Sequence, residues 1–128
     1  MNGQSAAARA ENAAKPIALV TGAARGIGLS TSVGLLDAGH RVVMVDLEQI
    51  DLRQVRLARH QESLLTFVAD VRSLASFQEI REIVLKRWGP LKVLVNNAGI
   101  SVKNPLGRAS TLETTSDAEW EAVLEVNL

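Results

Sequence analysis

Four short runs of the chain, Ile17 to Thr21, Val42 to Asp46, Leu64 to Asp70 and Val93 to Asn96, are apolar without the polar alternation of a half-wetted strand. A strand with no wet side is buried on both faces, and a parallel sheet covered by helices provides that environment. Helical spacing fills the intervals. From about Ile27 to Ala38, apolar Ile27, Leu35 and Leu36 accompany a small Gly34, and Gly39 follows as a left-handed cap. From about Leu74 to Trp88, a single face collects Leu74, Phe77, Ile80, Val84 and Trp88, and Gly89-Pro90 ends it. Ile50 to His60 is a weaker helical segment. The last helix opens at Ser116, with Glu119 placed for a capping box, and presents Trp120, Val123, Leu124 and Asn127 on one stripe. Alternating strands and helices at this spacing predict an α/β, doubly wound parallel sheet with right-handed crossovers.

Composition narrows the function. The 128 residues carry 14 basic and 14 acidic side chains, so there is no electrostatic footprint for nucleic acid. With no cysteine there is neither a disulfide framework nor a thiolate site, and two histidines, His40 and His60, are too few for most zinc sites. Both read as solvated turn or helix-end residues, and Trp88 and Trp120 as core. No apolar run reaches the ~20 residues of a membrane span, and the expected location is the cytoplasm. Residues 1–15 read as a flexible leader and 16–128 as the folded part.

The residues Thr21-Gly22-Ala23-Ala24-Arg25-Gly26-Ile27-Gly28 sit directly after the first strand and open the first helix. Glycines there permit a sharp turn and close approach of a pyrophosphate, and a helix N-terminus offers unpaired N–H groups and a positive dipole end. Asp46, followed by Leu47, ends the second strand 18 positions after Gly28, near the ~20 of an acid that bonds a ribose diol. Its carboxylate would accept both hydroxyls of NAD and repel a 2′-phosphate, so NAD is expected over NADP. Arg25 opposes this, because a basic side chain in the loop could pair with that phosphate. Asn96-Asn97-Ala98-Gly99 ends the fourth strand where open α/β sheets bind ligands. Asn127, polar on an apolar stripe, reads either as a buried amide bonded to a neighbouring loop or as a functional group.

The glycine spacing Gly-x-x-x-Gly-x-Gly, with the preceding threonine, resembles that of the short-chain dehydrogenase/reductase family. Asn96-Asn97-Ala98-Gly99 resembles that family's second signature, Asp70-Val71 its adenine-contacting pair, and Glu125-Val126-Asn127-Leu128 the segment that carries its catalytic asparagine. The resemblance runs from about Ile17 to Leu128. It implies a Rossmann-type sheet of about four strands in the order 3-2-1-4, and binding of NAD or NADP through Thr21, Gly22, Arg25, Gly26, Ile27, Gly28, Asp46, Leu47, Asp70, Val71, Asn97, Ala98 and Gly99. It also implies a proton-relay role for Asn127, a small alcohol or carbonyl substrate, and a homo-oligomer for the intact form. Lys92 departs from the family, which usually has an aspartate there. The stretch Ile100 to Thr115 is the expected seat of specificity.

The family's serine, tyrosine and lysine cannot be placed. The chain contains no tyrosine, and the elements carrying those residues would lie beyond Leu128. The expectation is therefore a cofactor-binding half, inactive alone, whose fourth strand exposes an apolar edge prone to self-association. A stand-alone nucleotide-binding or interaction module is the alternative. A phosphoacceptor domain fails for want of an acidic pair after the first strand, and a P-loop for want of Gly-Lys-Ser/Thr.

Overall fold

The computed structural model describes residues 6, 15–101, 107–108 and 110–128. Apart from residues 6 and 15, the expected leader lies outside the described residues. The chain separates into two compact units, Met1–Asn97 and Ala98–Leu128.

The first unit is a four-stranded parallel sheet, β1 (Ile17–Thr21), β2 (Arg41–Asp46), β3 (Leu64–Val68) and β4 (Val93–Val95), in the order β3-β2-β1-β4. This is the order implied by the resemblance. Among residues 15–97 the helices are α1 (Gly26–Asp37), the single turn α2 (Val55–Ala58) and α3 (Leu74–Arg87), with a 3-10 turn at Gln61–Ser63. The interval Ile50 to His60 thus holds only one helical turn, shorter than its composition suggested. β3 and β4 stop before Ala69 and Asn96, and β2 begins one residue earlier, at Arg41.

Two apolar clusters explain the missing alternation in the strands. Val20, Val42 and Met44 pack with Val33 and Leu36 of α1, Leu57 of α2 and Leu64. The intervening residues Leu19, Val43 and Val45 pack with Ile80 and Val84 of α3 on the opposite face. Successive side chains of β2 therefore enter different cores, and Val42 through Val45 are fully buried, each contributing about 1.5–3 kcal/mol relative to exposure.

The helix ends follow their local chemistry. Gly39 (φ +89°) closes α1 in a Schellman arrangement, its N–H donating to Leu36 O and the His40 N–H to Leu35 O. Ser73 caps α3 by accepting from the Ser76 N–H. Two apolar residues depart from expectation. The buried face of α1 runs through Gly28, Ser32, Val33 and Leu36, which turns the neighbouring Ile27 outward. Leu74 lies in the first turn of α3, beyond the buried Ile80 and Val84, and is exposed.

The histidines are also more engaged than solvated turn residues. His60 Nε2 lies 2.8 Å from Asp37 Oδ1, which also accepts from Arg59 Nη2 at 2.6 Å. The ring atom His40 Nδ1 is sealed from solvent without a partner.

The second unit contains α4 (Asp117–Asn127), opened by a complete capping box: Ser116 accepts from the Glu119 N–H and Glu119 accepts from the Ser116 N–H. Its stripe is not a sealed core, since Trp120 and Leu124 are about half exposed and Asn127 is exposed. Among the described residues no helix is long and apolar enough to cross a membrane.

Candidate functional site

The carboxyl ends of the strands gather most of the residues singled out in the sequence. The turn after β1 is shaped by Gly22 and Gly26, at φ +64° and +58°, a region that glycine enters without steric cost. Gly28 is required for another reason. A Cβ there would stand 2.0 Å from Gly22 O and 2.6 Å from Asn97 Nδ2, so only hydrogen lets α1 start this close to the turn.

Asn97 secures that turn from the end of β4. Its Nδ2 donates to the carbonyls of Thr21 and Gly22, each at 3.1 Å, and its backbone N–H donates to Thr21 Oγ1 at 3.1 Å. The asparagine therefore positions the glycine turn, and Thr21 gains a defined place beside it. From the other side, Asp46 Oδ2 accepts from the Ala24 N–H at 2.9 Å, while Oδ1 accepts from the Glu48 N–H at 3.0 Å. Each bond uses one of the carboxylate's roughly four acceptor positions.

These restraints leave the start of α1 open. It has neither a side-chain cap nor an acid in its first turn. The first intrahelical bond runs from the Leu29 N–H to Arg25 O. The N–H groups of Gly26, Ile27 and Gly28 have no acceptor among the described residues. Three unpaired donors at the positive end of a twelve-residue helix are an arrangement suited to an anion. Ser32 Oγ donates to Gly28 O at 2.8 Å, a buried tie that sequence reasoning missed because a mid-helix serine carries no pattern.

The remaining expected residues occupy varied settings. Arg25 is exposed and forms a 3.4 Å ion pair with Glu48, a partner not foreseen from the sequence. Leu47 is exposed beside Asp46. Asp70 is gripped by Arg72, whose N–H and Nε donate to Oδ1 at 2.9 and 3.1 Å and whose Nη2 donates to Oδ2 at 2.8 Å. The Arg72 guanidinium and backbone N–H hold that carboxyl down to about 2. Val71 lines an apolar groove of about 580 Å³ that runs over Leu19, Ile80, Val84 and Leu94 and has Thr21 and Asn96 at its strand-end rim. Leu94 is 59% exposed on that face.

Ala98, Gly99 and Asn127 belong to the second unit. There Asn127 clamps one residue at two points: Oδ1 accepts from the Ile100 N–H at 2.8 Å and Nδ2 donates to Ile100 O at 3.0 Å. The amide thus bonds a loop, as one of its two readings held, but from an exposed position. Its side chain is satisfied without burial. Residues 102–106 and 109 of the expected specificity stretch lie outside the described residues.

Comparison with known proteins identifies relatives along most of the chain. The family described as "short chain dehydrogenase" matches residues 16–128. The chain is 37% identical over 116 residues to fluoren-9-ol dehydrogenase of Terrabacter sp. (strain DBF63), covering 88% of this chain and 32% of that protein. It is 36% identical over 116 residues to 2,3-dihydro-2,3-dihydroxybenzoate dehydrogenase of Bacillus subtilis (strain 168), covering 87% and 41%. Among solved structures, ElxO with NADP bound superposes with a TM-score of 0.76 at 25% identity, covering 89% of this chain and 45% of ElxO. The chain thus spans less than half the length of each of these relatives.

Proposed function

Because the chain belongs to the short-chain dehydrogenase family, we propose that it is the dinucleotide-binding portion of an oxidoreductase that moves hydride between a nicotinamide and an alcohol or carbonyl carbon, and that it is inactive alone. The observation that carries this reading is the uncapped start of α1, with unpaired N–H groups at Gly26, Ile27 and Gly28. A pyrophosphate is the ligand chemistry those donors suit.

In this reading Gly22, Arg25, Gly26, Ile27 and Gly28 hold the pyrophosphate, while Thr21 and Asn97 keep the turn in shape. Asp46, with Leu47 beside it, receives the adenosine ribose diol through the acceptor positions not used by Ala24 and Glu48. Asp70 and Val71 border the adenine, and Ala98 and Gly99 lie along the ribose. Asn127 serves a proton relay through the loop at Ile100. The nicotinamide, when bound, supplies the hydride chemistry. The phenol that the family uses as acid or base is not supplied by these 128 residues, which contain no tyrosine.

NAD is favoured over NADP by the placement of Asp46. A carboxylate fixed between the turn and Glu48 would face a 2′-phosphate with like charge and desolvation, and the cation that could compensate, Arg25, is paired with Glu48. The intact protein is expected to be a soluble homo-oligomer acting on a small molecule.

Calorimetric titration of the full chain with NADH and NADPH tests the proposal. Saturable one-site binding with NADH the tighter, and no cofactor oxidation with a panel of carbonyl compounds, is the expected result. Tighter NADPH overturns the cofactor assignment, and turnover overturns the inactivity.

A further inference from the structure

Arg41 opens β2 at the amino-terminal edge of the sheet, the end opposite the glycine turn, where its N–H donates to Pro16 O at 2.9 Å. The residue is only 9% exposed, and its Cζ sits over the Trp88 ring, 5.2 Å from the centroid. A guanidinium has five N–H donors and no acceptor, yet this one makes no hydrogen bond or ion pair among the described residues. Its Nε is fully sealed without a partner, and the terminal nitrogens are not among the sealed, unpartnered atoms.

The surroundings raise the demand for an anion. Arg41 lies close enough to Arg87 that burial and this second cation together lower its pKa. Lys15 and Lys92 stand at the starts of β1 and β4 on the same edge, the Lys92 N–H bonding Ile17 O. Asp37, at the end of α1, is already committed to Arg59 and His60, and Glu62 of the 3-10 turn makes no bond to Arg41. The indole face and the negative end of α3 attract a cation, but neither fills the guanidinium's hydrogen-bonding positions. A buried charge ordinarily has a counter-charge.

We infer that this edge is an anion site, in which Arg41, seated over Trp88 with its Nε sealed and unpartnered, binds a carboxylate or phosphate group through its terminal N–H donors. It is separate from the dinucleotide cradle, which lies at the opposite ends of the same strands. The indole fixes the planar fork, which suits two-point recognition of an oxyanion.

The test follows the Arg41 Nε–H resonance of the full chain during titration with sodium phosphate, sodium acetate and, at matched ionic strength, sodium chloride. Phosphate or acetate shifts the resonance saturably and chloride does not. Arg87→Gln weakens binding at least about threefold, whereas Arg81→Gln, a change elsewhere on α3, leaves it within error. Tighter phosphate identifies a free phosphate-bearing ligand, and acetate of equal or higher affinity identifies a carboxylate from a partner chain; either ordering supports the site. A shift no larger than that in chloride, or one that Arg87→Gln leaves unchanged, overturns it.

Discussion

Asp46 Oδ2 accepts a hydrogen bond from the Ala24 backbone N–H at 2.9 Å, joining the end of β2 to the glycine turn after β1. The residue assigned to the ribose thus also shapes the surface on which the pyrophosphate would lie. Asp46→Asn keeps an acceptor for Ala24 but loses the charge. It is expected to weaken NADH roughly tenfold, consistent with loss of about 1.5 kcal/mol from a charge-assisted bond, and to move the NADH-to-NADPH affinity ratio toward NADPH. Paired titrations check this, and an unchanged ratio would count against the assignment.

Gly28 and Gly34 lie in the same helix and should respond to alanine with opposite signs. At Gly28 the new Cβ meets backbone at 2.0 Å, whereas at Gly34 nothing lies within 4 Å. Gly28→Ala is expected to cost about 1–3 kcal/mol through forced displacement of the turn. Gly34→Ala should stabilise by about 0.5–1 kcal/mol by reducing the freedom of the unfolded chain. Urea midpoints of the two variants decide the matter, and equal effects would contradict the close packing of α1 on the turn.

The fork between Arg72 and Asp70 gives a pH signature. The native carboxyl titrates at about 2, below the ~3.9 of an unfolded aspartate. Its contribution to stability is therefore complete above about pH 4 and disappears as pH falls through about 2. Carbon-detected carboxyl titration should find the low value in the parent and a higher one in Arg72→Met, which loses the guanidinium but keeps the backbone N–H. A parent value near 4 would show that the fork does not persist in solution.

The apolar face of β4 should drive association. Leu94 is 59% exposed over a groove floored by Leu19. Sedimentation of the chain at rising concentration is expected to show self-association, reduced in Leu94→Lys. A monomer at all concentrations, indifferent to that change, would contradict this expectation.

What the sequence disclosed, and what it concealed, follows from where the information resides. Runs such as Val42 to Val45 are apolar because each side chain enters a core, so the strands and their doubly wound arrangement were legible. Strong local chemistry at Gly39 and at Ser116 with Glu119 marked helix ends correctly. The orientation of single residues was less legible. Ile27 is one position off the buried face of α1, a rotation that residue type does not encode. His60 looked like a solvated helix end because its partner, Asp37, lies 23 residues away. The hold of Asn97 on Thr21 and Gly22 spans 76 and 75 positions, and only the sheet order brings them together.

The central claim is that the open start of α1 is a dinucleotide phosphate cradle. The most direct measurement is the amide nitrogen–proton spectrum of the full chain titrated with NADH. The account predicts saturable shifts of the Gly26, Ile27 and Gly28 amides with a common dissociation constant, and little change at Trp88 on the far edge of the sheet. Amides at those three positions that stay fixed up to millimolar NADH would contradict it.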